Sequence, residues 1–182
     1  MAYGVIETTN MASTKIGGGR IYDAVASTDI ENGTVGYIDE LATDETHIYN
    51  FHKGLPEDAT GKTIVIVDQP AWSADDSHRT NQRRDKFVCK ANIPFRVRVL
   101  YKNDEFAVSI DCFAKASQAK AAKNKFVTVD TDGKFVVNDT ATESAIIEGK
   151  IMRTHNQGAT LVTTGNTYGY QRQLYTIKVV VA

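Results

Sequence analysis

Residues 54–63 come closest to a known chemical motif, because they end in the Gly-Lys-Thr of a phosphate-binding loop. In that loop four residues separate the two glycines, and the lysine and the hydroxyl contact the phosphates and Mg²⁺. Here six residues separate Gly54 from Gly61. An apolar run at 64–67 follows where the loop needs a helix N-terminus to present its amide groups. Spacing and context both argue against nucleotide binding.

Histidines and acidic residues are the other side chains that could support hydrolysis. The histidines, at positions 47, 52, 78 and 155, lack the i, i+4 helical pairing of a metalloprotease, and two cysteines are too few for a zinc cluster. Acidic pairs at 39–40, 44–45 and 75–76 would need a defined separation in space to cleave a glycosidic bond. No nucleophile, base and orienting group can be assembled from these residues. The sequence therefore predicts a protein that is not an enzyme, with no catalytic residue, cofactor or metal site.

Length, charge and cysteine content narrow the class of protein. The chain has 182 residues and a net charge of -1 at pH 7, which fits one domain with its own core and does not indicate a nucleic-acid or membrane binder. No apolar run approaches the roughly 18 residues of a membrane helix, and the N-terminus lacks a signal-peptide pattern. We therefore expect folding in a reducing cytosol, with Cys89 and Cys112 as free, buried thiols.

Positive charge is concentrated in one segment of the chain. Between residues 79 and 125 there are twelve lysines and arginines against four acidic residues, whereas the first 45 residues are acidic on balance. Nucleic-acid binding would also need exposed aromatic rings beside these charges, but Phe87, Phe95, Tyr101 and Phe106 fall on the apolar faces of predicted strands. The asymmetry instead predicts a docking face for an acidic protein surface, or head-to-tail attraction between subunits.

Short apolar runs separated by turn residues make up most of the chain, and they are the elements that would position the charged side chains. Alternation of apolar and polar residues at period two is typical of strands. The predicted strands are 34–39, 47–51, 63–68, 86–90, 95–102, 106–113, 126–130, 134–137, 145–152, 160–163 and 170–181. This pattern predicts an all-β chain that folds as an antiparallel β-sandwich or barrel-like domain, with at most one short helix, at residues 114–124.

Two pairs of neighbouring strands have the spacing of hairpins. Residues 95–102 and 106–113 repeat the same alternation on either side of a short polar turn, which predicts an antiparallel pair. The dipeptide Asp132-Gly133 lies between two later strands, and glycine can take the positive φ that a type I′ turn needs. Both positions are therefore predicted to be hairpins.

The first 28 residues differ from the rest because they show little periodicity and contain the triplet Gly17-Gly18-Gly19. Such composition is typical of an extended arm that becomes ordered against a partner, and equally of a frayed terminus. We therefore predict an extended N-terminal arm over residues 1–28, followed by a single β-rich domain over residues 29–182.

Five pieces of sequence between residues 29 and 111 occur in an order that is informative. They are Asp-Ile-Glu-Asn-Gly-Thr-Val at 29–35, His-Ile-Tyr-Asn-Phe at 47–51, Ile-Val-Ile-Val-Asp-Gln-Pro at 64–70, Phe87 ahead of Pro-Phe-Arg-Val-Arg-Val-Leu at 94–100, and Asp-Glu-Phe-Ala-Val-Ser at 104–109. In content and order these pieces resemble the head decoration proteins of tailed bacteriophages, which are also called capsid cement proteins. The chain departs from that pattern in its long basic segment at 114–125.

The resemblance implies a non-enzymatic virion protein that binds the outer surface of a capsid and clamps neighbouring major capsid subunits. Its partner would be the major capsid protein, it would form a homo-oligomer on the capsid, and it would be made in the bacterial host cytoplasm. No specific nucleic acid, membrane or cofactor would take part. The candidate capsid or subunit contacts lie in the arm and in the basic segment: Ile16, Gly17, Gly18, Gly19, Arg20, Arg83, Arg84, Lys120 and Lys123.

Two other functions share this composition. A phage tail tube or head-fibre protein would also be all-β, and it would assemble into rings or tubes without a capsid. A carbohydrate-binding module would need a stacking platform, for which Trp72, Tyr168, Tyr170 and Tyr175 are the candidates.

Overall fold

The computed structural model describes residues 3–15, 20–71, 84–142, 145–157, 160–163, 166–169 and 172–182. Strands dominate these residues, which confirms the all-β prediction. The strands are β1 (Ile6–Asn10), β2 (Ile21–Val25), β3 (Val35–Leu41), β4 (Ile48–Lys53), β5 (Thr63–Val67), β6 (Phe95–Val99), β7 (Glu105–Ser109), β8 (Phe126–Val129), β9 (Phe135–Asn138), β10 (Glu148–Gln157), β11 (Thr160–Thr163), β12 (Asn166–Gly169) and β13 (Arg172–Val181). Two α-helices, α1 (Ala12–Lys15) and α2 (Lys115–Gln118), and a 3₁₀ turn at Ile110–Cys112 are short. No helix of the described residues has the length and apolar character to cross a membrane.

Five strands close into a barrel in the order β2-β4-β3-β5-β6. β2 and β4 run parallel, and the other neighbouring pairs are antiparallel. Successive side chains of a strand point to opposite faces. Val65 and Val97 therefore join the barrel core, whereas Ile66, Arg96 and Arg98 lie on the outer wall. A closed barrel leaves no free strand edge, so this wall is a rigid base for polar side chains.

A six-stranded antiparallel sheet packs against the barrel, in the order β1-β7-β13-β10-β8-β9. Its inner face contributes Phe106, Ile151 and Ile177 to a core that also contains Val35 and Ile66 from the barrel wall. The sheet and the barrel therefore share one apolar core. β11 and β12 form a separate two-stranded hairpin.

The predicted pairing of residues 95–102 with 106–113 is wrong. β6 pairs with β2 and β5 in the barrel, whereas β7 pairs with β1 and β13 in the six-stranded sheet. A turn does form, since the Asp104 N–H donates to the Tyr101 carbonyl at 3.0 Å, but Asn103 and Asp104 also bond to the backbone of Val179 in β13. These bonds direct the chain into the second sheet. Periodicity identifies the buried positions of a strand and not the strand that pairs with it.

The described part of residues 1–28 does not extend from the body as an arm. β1 pairs with β7 at the edge of the six-stranded sheet, and β2 lies between β4 and β6 in the barrel. Met11, which links β1 to α1, is fully buried. With α2 at the predicted helical segment, α1 is a second short helix where at most one was expected. The sequence pattern missed them because Ile6–Asn10 and Ile21–Val25 lack a regular alternation of apolar and polar residues, and one helical turn is too short to show a period.

The turn at Asp132-Gly133 forms where it was predicted, but it is of a different type. Asp132 and Gly133 do connect β8 to β9, and Gly133 has a φ of 74°. Its N–H donates to the Asp130 carbonyl at 3.1 Å, and the Asp130 carboxylate accepts the Lys134 N–H at 2.8 Å. The loop is therefore a three-residue turn that ends in glycine, and not a two-residue type I′ turn. Residues 86–90, predicted to be a strand, form only an isolated bridge between Cys89 and Ile30.

Candidate functional site

The predicted contact residues lie in separate places. Ile16, Gly17, Gly18, Gly19 and Arg83 are outside the described residues. The Arg20 guanidinium lies 4.6 Å from the centre of the Tyr101 ring, near the end of β6. Arg84 has an exposed side chain 3.9 Å from Glu7 of β1. Lys120 and Lys123 are exposed beyond α2. The structure does not bring Arg20, Arg84 and the two lysines into one surface.

A cleft of about 600 Å³ separates β1 from the barrel wall. We call it the β1 cleft. One side is formed by residues 5–9, and the other by residues 68–71 with Arg84, Arg96 and Arg98. Among the described residues, three arginines and two carboxylates, Glu7 and Asp68, line it, so their formal charges leave one positive charge in excess.

The Asp68 carboxylate organises the floor of the β1 cleft. Its Oδ2 accepts hydrogen bonds from Arg98 Nε at 2.5 Å, from Arg96 Nη2 at 3.1 Å and from the Thr8 hydroxyl at 3.0 Å. Arg96 Nε also donates to the Asp68 carbonyl at 2.7 Å. Arg98 is 7% exposed, and its Nη1 lies 3.5 Å from the Ser13 hydroxyl. One carboxylate therefore holds two guanidinium groups and ties β1 to the barrel.

A simple pattern in the sequence positions these groups. Arg96 and Arg98 are two residues apart, so both point to the outer face of β6. Asp68 directly follows β5, the neighbour of β6 in the barrel. Two basic residues at i and i+2 beside a carboxylate at the end of an adjacent strand are a signal that could have been read. It required knowing that β5 and β6 are neighbours, which the sequence alone does not provide.

One edge of β1 has no strand partner among the described residues, and this edge faces the cleft. β7 pairs with its other side, where the Val5 carbonyl accepts the Ser109 N–H at 2.9 Å and the Val5 N–H donates to the Ser109 hydroxyl at 3.1 Å. In an antiparallel pair the backbone groups of alternate residues point to the same side. Since Val5 faces β7, the N–H and carbonyl of Ile6 face the open side, and Ile6 also lines the cleft.

A second cleft, of about 510 Å³, has five acidic and three basic residues among its described lining residues. Lys134 Nζ donates to Glu31 Oε2 at 2.9 Å and to the Asp111 carbonyl at 3.1 Å, and Glu31 Oε2 also accepts the Gly4 N–H at 3.1 Å. Within the described ranges, no group of three or more histidine, cysteine or acidic residues has the geometry to hold a metal ion. The Lys134–Glu31 ion pair therefore lies within this cleft.

In the described part of the basic segment at 79–125, acids from other parts of the chain pair with several of the basic residues. Lys90 Nζ lies 2.9 Å from Asp29, and this hydrogen bond lowers the pKa of the Asp29 carboxyl below its usual value. Lys125 pairs with Asp139 and lowers the pKa of that carboxyl in the same way. Arg96 and Arg98 pair with Asp68. Counting charges along the sequence therefore overstates the local excess.

The structure also tests the predictions for the two cysteines and for the segment at 54–63. Cys89 and Cys112 are free and buried, as predicted. Burial raises the pKa of Cys89 to about 12 and that of Cys112 to about 11. A strand, β5, follows residues 54–62, as expected for a segment that is not a phosphate-binding loop.

The proposed aromatic platform does not come together at Tyr175. Its ring is buried, with its centre 5.3 Å from that of Phe113, so it has no free face for stacking on a sugar. Trp72 and Tyr170 lie outside the described residues, and Tyr168 is in β12. Comparisons of this chain with models of protein families, with curated proteins and with solved structures find no match.

Proposed function

We propose that this chain is a structural virion protein, which binds the outer surface of a phage capsid and stabilises the contacts between neighbouring major capsid subunits. One observation carries the proposal. Four of the five sequence pieces that resemble head decoration proteins coincide with β4, β5, β6 and β7, and the first piece, at 29–35, is the loop that leads into β3. The pieces therefore follow consecutive elements of the fold, of which β4, β5 and β6 are barrel strands and β7 belongs to the six-stranded sheet.

The architecture suits a clamp physically. The closed barrel offers a rigid body without free edges, while β1 and β9 are the two edge strands of the six-stranded sheet. Edge strands can accept a strand from a partner. A capsid repeats each contact by symmetry, so contacts that are individually weak give tight binding when several act together. We propose that copies of this chain form an oligomer on the capsid by the same repetition.

Basic side chains are the main proposed contacts with the capsid or with a neighbouring copy. In the described chain these are Arg20, Arg84, Lys120 and Lys123, and the proposal extends to Ile16, Gly17, Gly18, Gly19 and Arg83. Removal of residues 1–28 would not test the arm, because it would delete β1 and β2. Substitution is the cleaner approach.

The test mixes the purified protein with mature, undecorated heads of the source virus. Co-sedimentation measures binding, and a second measurement gives the temperature at which the heads release DNA. A ligand that binds only the assembled shell must stabilise it, so we expect binding together with a higher release temperature. A variant with Lys120→Gln and Lys123→Gln should bind more weakly than one with Lys102→Gln and Lys115→Gln, which has the same net charge.

The other outcomes assign other functions. If the protein bound no heads and instead formed rings or tubes alone, a tail-tube or head-fibre role would replace the capsid role. If it did neither, binding to a glycan array would identify a carbohydrate-binding module. Binding to heads without a change in release temperature would exclude the stabilising part of the proposal.

A further inference from the structure

The β1 cleft combines a strand edge with arginine hydrogen-bond donors, and neither the edge nor these donors have a partner among the described residues. A guanidinium has five N–H donors and no acceptor. Within the described chain, Arg96 uses Nε and Nη2 on Asp68, and Arg98 uses Nε on Asp68 and Nη1 on Ser13. Arg96 Nη1 and Arg98 Nη2 have no acceptor among the described residues, and both arginines line the cleft.

The charges of the cleft favour an anionic ligand of low charge. Asp68 neutralises one of the two guanidinium groups at the floor, and Arg84 at the rim is 3.9 Å from Glu7, too far for a hydrogen bond. The excess of one positive charge matches a single carboxylate. A phosphate, which carries close to two negative charges, would exceed it and would lie beside the Asp68 carboxylate.

The shape of the cleft favours an extended backbone. Residues 5–9 run along one side, with the N–H and carbonyl of Ile6 on the open edge. A strand that adds to a sheet edge gains affinity from these backbone bonds and specificity from alternate side chains. A side chain that points from such a strand toward the barrel wall would reach the two arginines.

We propose that the β1 cleft binds an acidic, extended segment of the major capsid protein, which pairs with the open edge of β1 and places an aspartate or glutamate carboxylate against Arg96 and Arg98. The inference rests on the proposed function for the identity of the partner. It adds the chemistry of the contact and the strand that makes it. Arginine suits this role because its planar fork can bind a carboxylate with two parallel hydrogen bonds.

The test measures the affinity of full-length variants for undecorated heads. We expect a protein with Arg84→Gln and Arg96→Gln to bind at least tenfold more weakly than the unaltered protein. The variant with Lys102→Gln and Lys115→Gln loses the same charge outside the cleft and should stay within twofold. Arg84→Gln alone, on an exposed side chain, keeps the test valid if the double variant is unstable, and it should weaken binding at least threefold.

Hydrogen exchange on the head-bound protein tests strand addition separately. The Ile6 amide lies on the open edge, so it should exchange quickly in the free protein and slowly on heads. Exchange at Gly61, in an exposed turn, serves as the control and should not change. Protection of Ile6 without heads, appearing only at high protein concentration, would show that a second copy of this chain occupies the edge and would overturn the proposal.

The outcomes separate this inference from the proposed function. If the unaltered protein binds heads and both arginine variants bind equally well, the cleft is not the contact, although the capsid role stands. Unchanged exchange at Ile6 on heads would likewise remove strand addition. If the unaltered protein binds no heads, both the function and the partner named here are wrong.

Discussion

Arg98 Nε lies 2.5 Å from Asp68 Oδ2, and both side chains are largely buried between the barrel and β1. Arg96 approaches the same oxygen at 3.1 Å. The fold needs this carboxylate, because without it two partly buried guanidinium groups would have no counter-charge. Both arginines also line the β1 cleft.

Asp68→Asn should lower the free energy of unfolding by about 3 kcal/mol, because removing one partner of a buried ion pair leaves the other charge unpaired. Urea denaturation measures this change. Asp39→Asn is the matched control, since Asp39 pairs with the exposed His52 at 3.3 Å. Exposed pairs contribute little, so the control should lose less than about 0.5 kcal/mol. Equal losses in the two variants would contradict the structural role of Asp68.

Asp104→Asn should destabilise the protein by about 2 kcal/mol, the typical penalty for a buried polar group left without a partner. The buried Asp104 carboxylate accepts the Ala12 N–H at 2.7 Å and the Tyr101 N–H at 3.0 Å, so it connects α1 to the end of β6. An amide has one oxygen and cannot accept both bonds in this geometry. Thermal unfolding measures the effect, and Asp132→Asn in an exposed turn should leave the midpoint nearly unchanged. A loss no larger than that of the Asp132 variant would refute the argument.

Gly133→Ala and Gly61→Ala form a pair that separates backbone strain from steric clash. Both glycines have a positive φ, 74° and 72°, which costs an alanine roughly 1–2 kcal/mol. A Cβ on Gly61 would meet nothing within 4 Å, whereas one on Gly133 would lie 2.2 Å from the Val35 carbonyl oxygen. We therefore expect Gly133→Ala to lose at least about 2 kcal/mol more than Gly61→Ala in urea denaturation. Similar losses would mean that the β8–β9 loop does not pack on β3 as described.

The all-β class and most strand positions could be predicted because alternation at period two reports which side of a strand is buried. Strand pairing could not. β6 and β7 are adjacent in sequence and equally periodic, but the bonds from Asn103 and Asp104 to Val179 place them in different sheets. Those bonds join residues more than seventy positions apart in sequence, so local pattern contains no trace of them.

The candidate site was missed for the same reason. Arg96 and Arg98 were counted among the basic residues of one segment, yet their partner Asp68 lies outside it. The local excess of charge on a folded chain depends on which charged residues are neighbours in space, and strand order decides which residues these are. Arg84 is the one predicted contact residue that the described structure places in the β1 cleft.

The two thiols give a prediction about chemical modification. Burial raises the pKa of Cys89 to about 12 and that of Cys112 to about 11, so the reactive thiolate is scarce in the folded protein at pH 8. Iodoacetamide should leave both cysteines unmodified in native conditions. It should modify both in about 8 M urea, which unfolds the protein fully. Mass spectrometry counts the adducts. Rapid modification of either residue in the folded protein would contradict its burial.

The burial of Cys89 also makes the free energy of unfolding depend on pH in the alkaline range. The pKa of Cys89 rises from an ordinary 9.0 to about 12 on folding, so between these values the folded chain holds a proton that the unfolded chain has lost. Stability that is fully present below pH 9 therefore declines as pH rises toward 12, by up to about 1.4 kcal/mol per pH unit. From pH 8 to 10.5 the unaltered protein should lose about 2 kcal/mol more than Cys89→Ala. Val97→Ala, a cavity in the same barrel core without a titrating group, should keep the pH slope of the unaltered protein. A Cys89→Ala variant with that same slope would show that the thiol does not carry the effect.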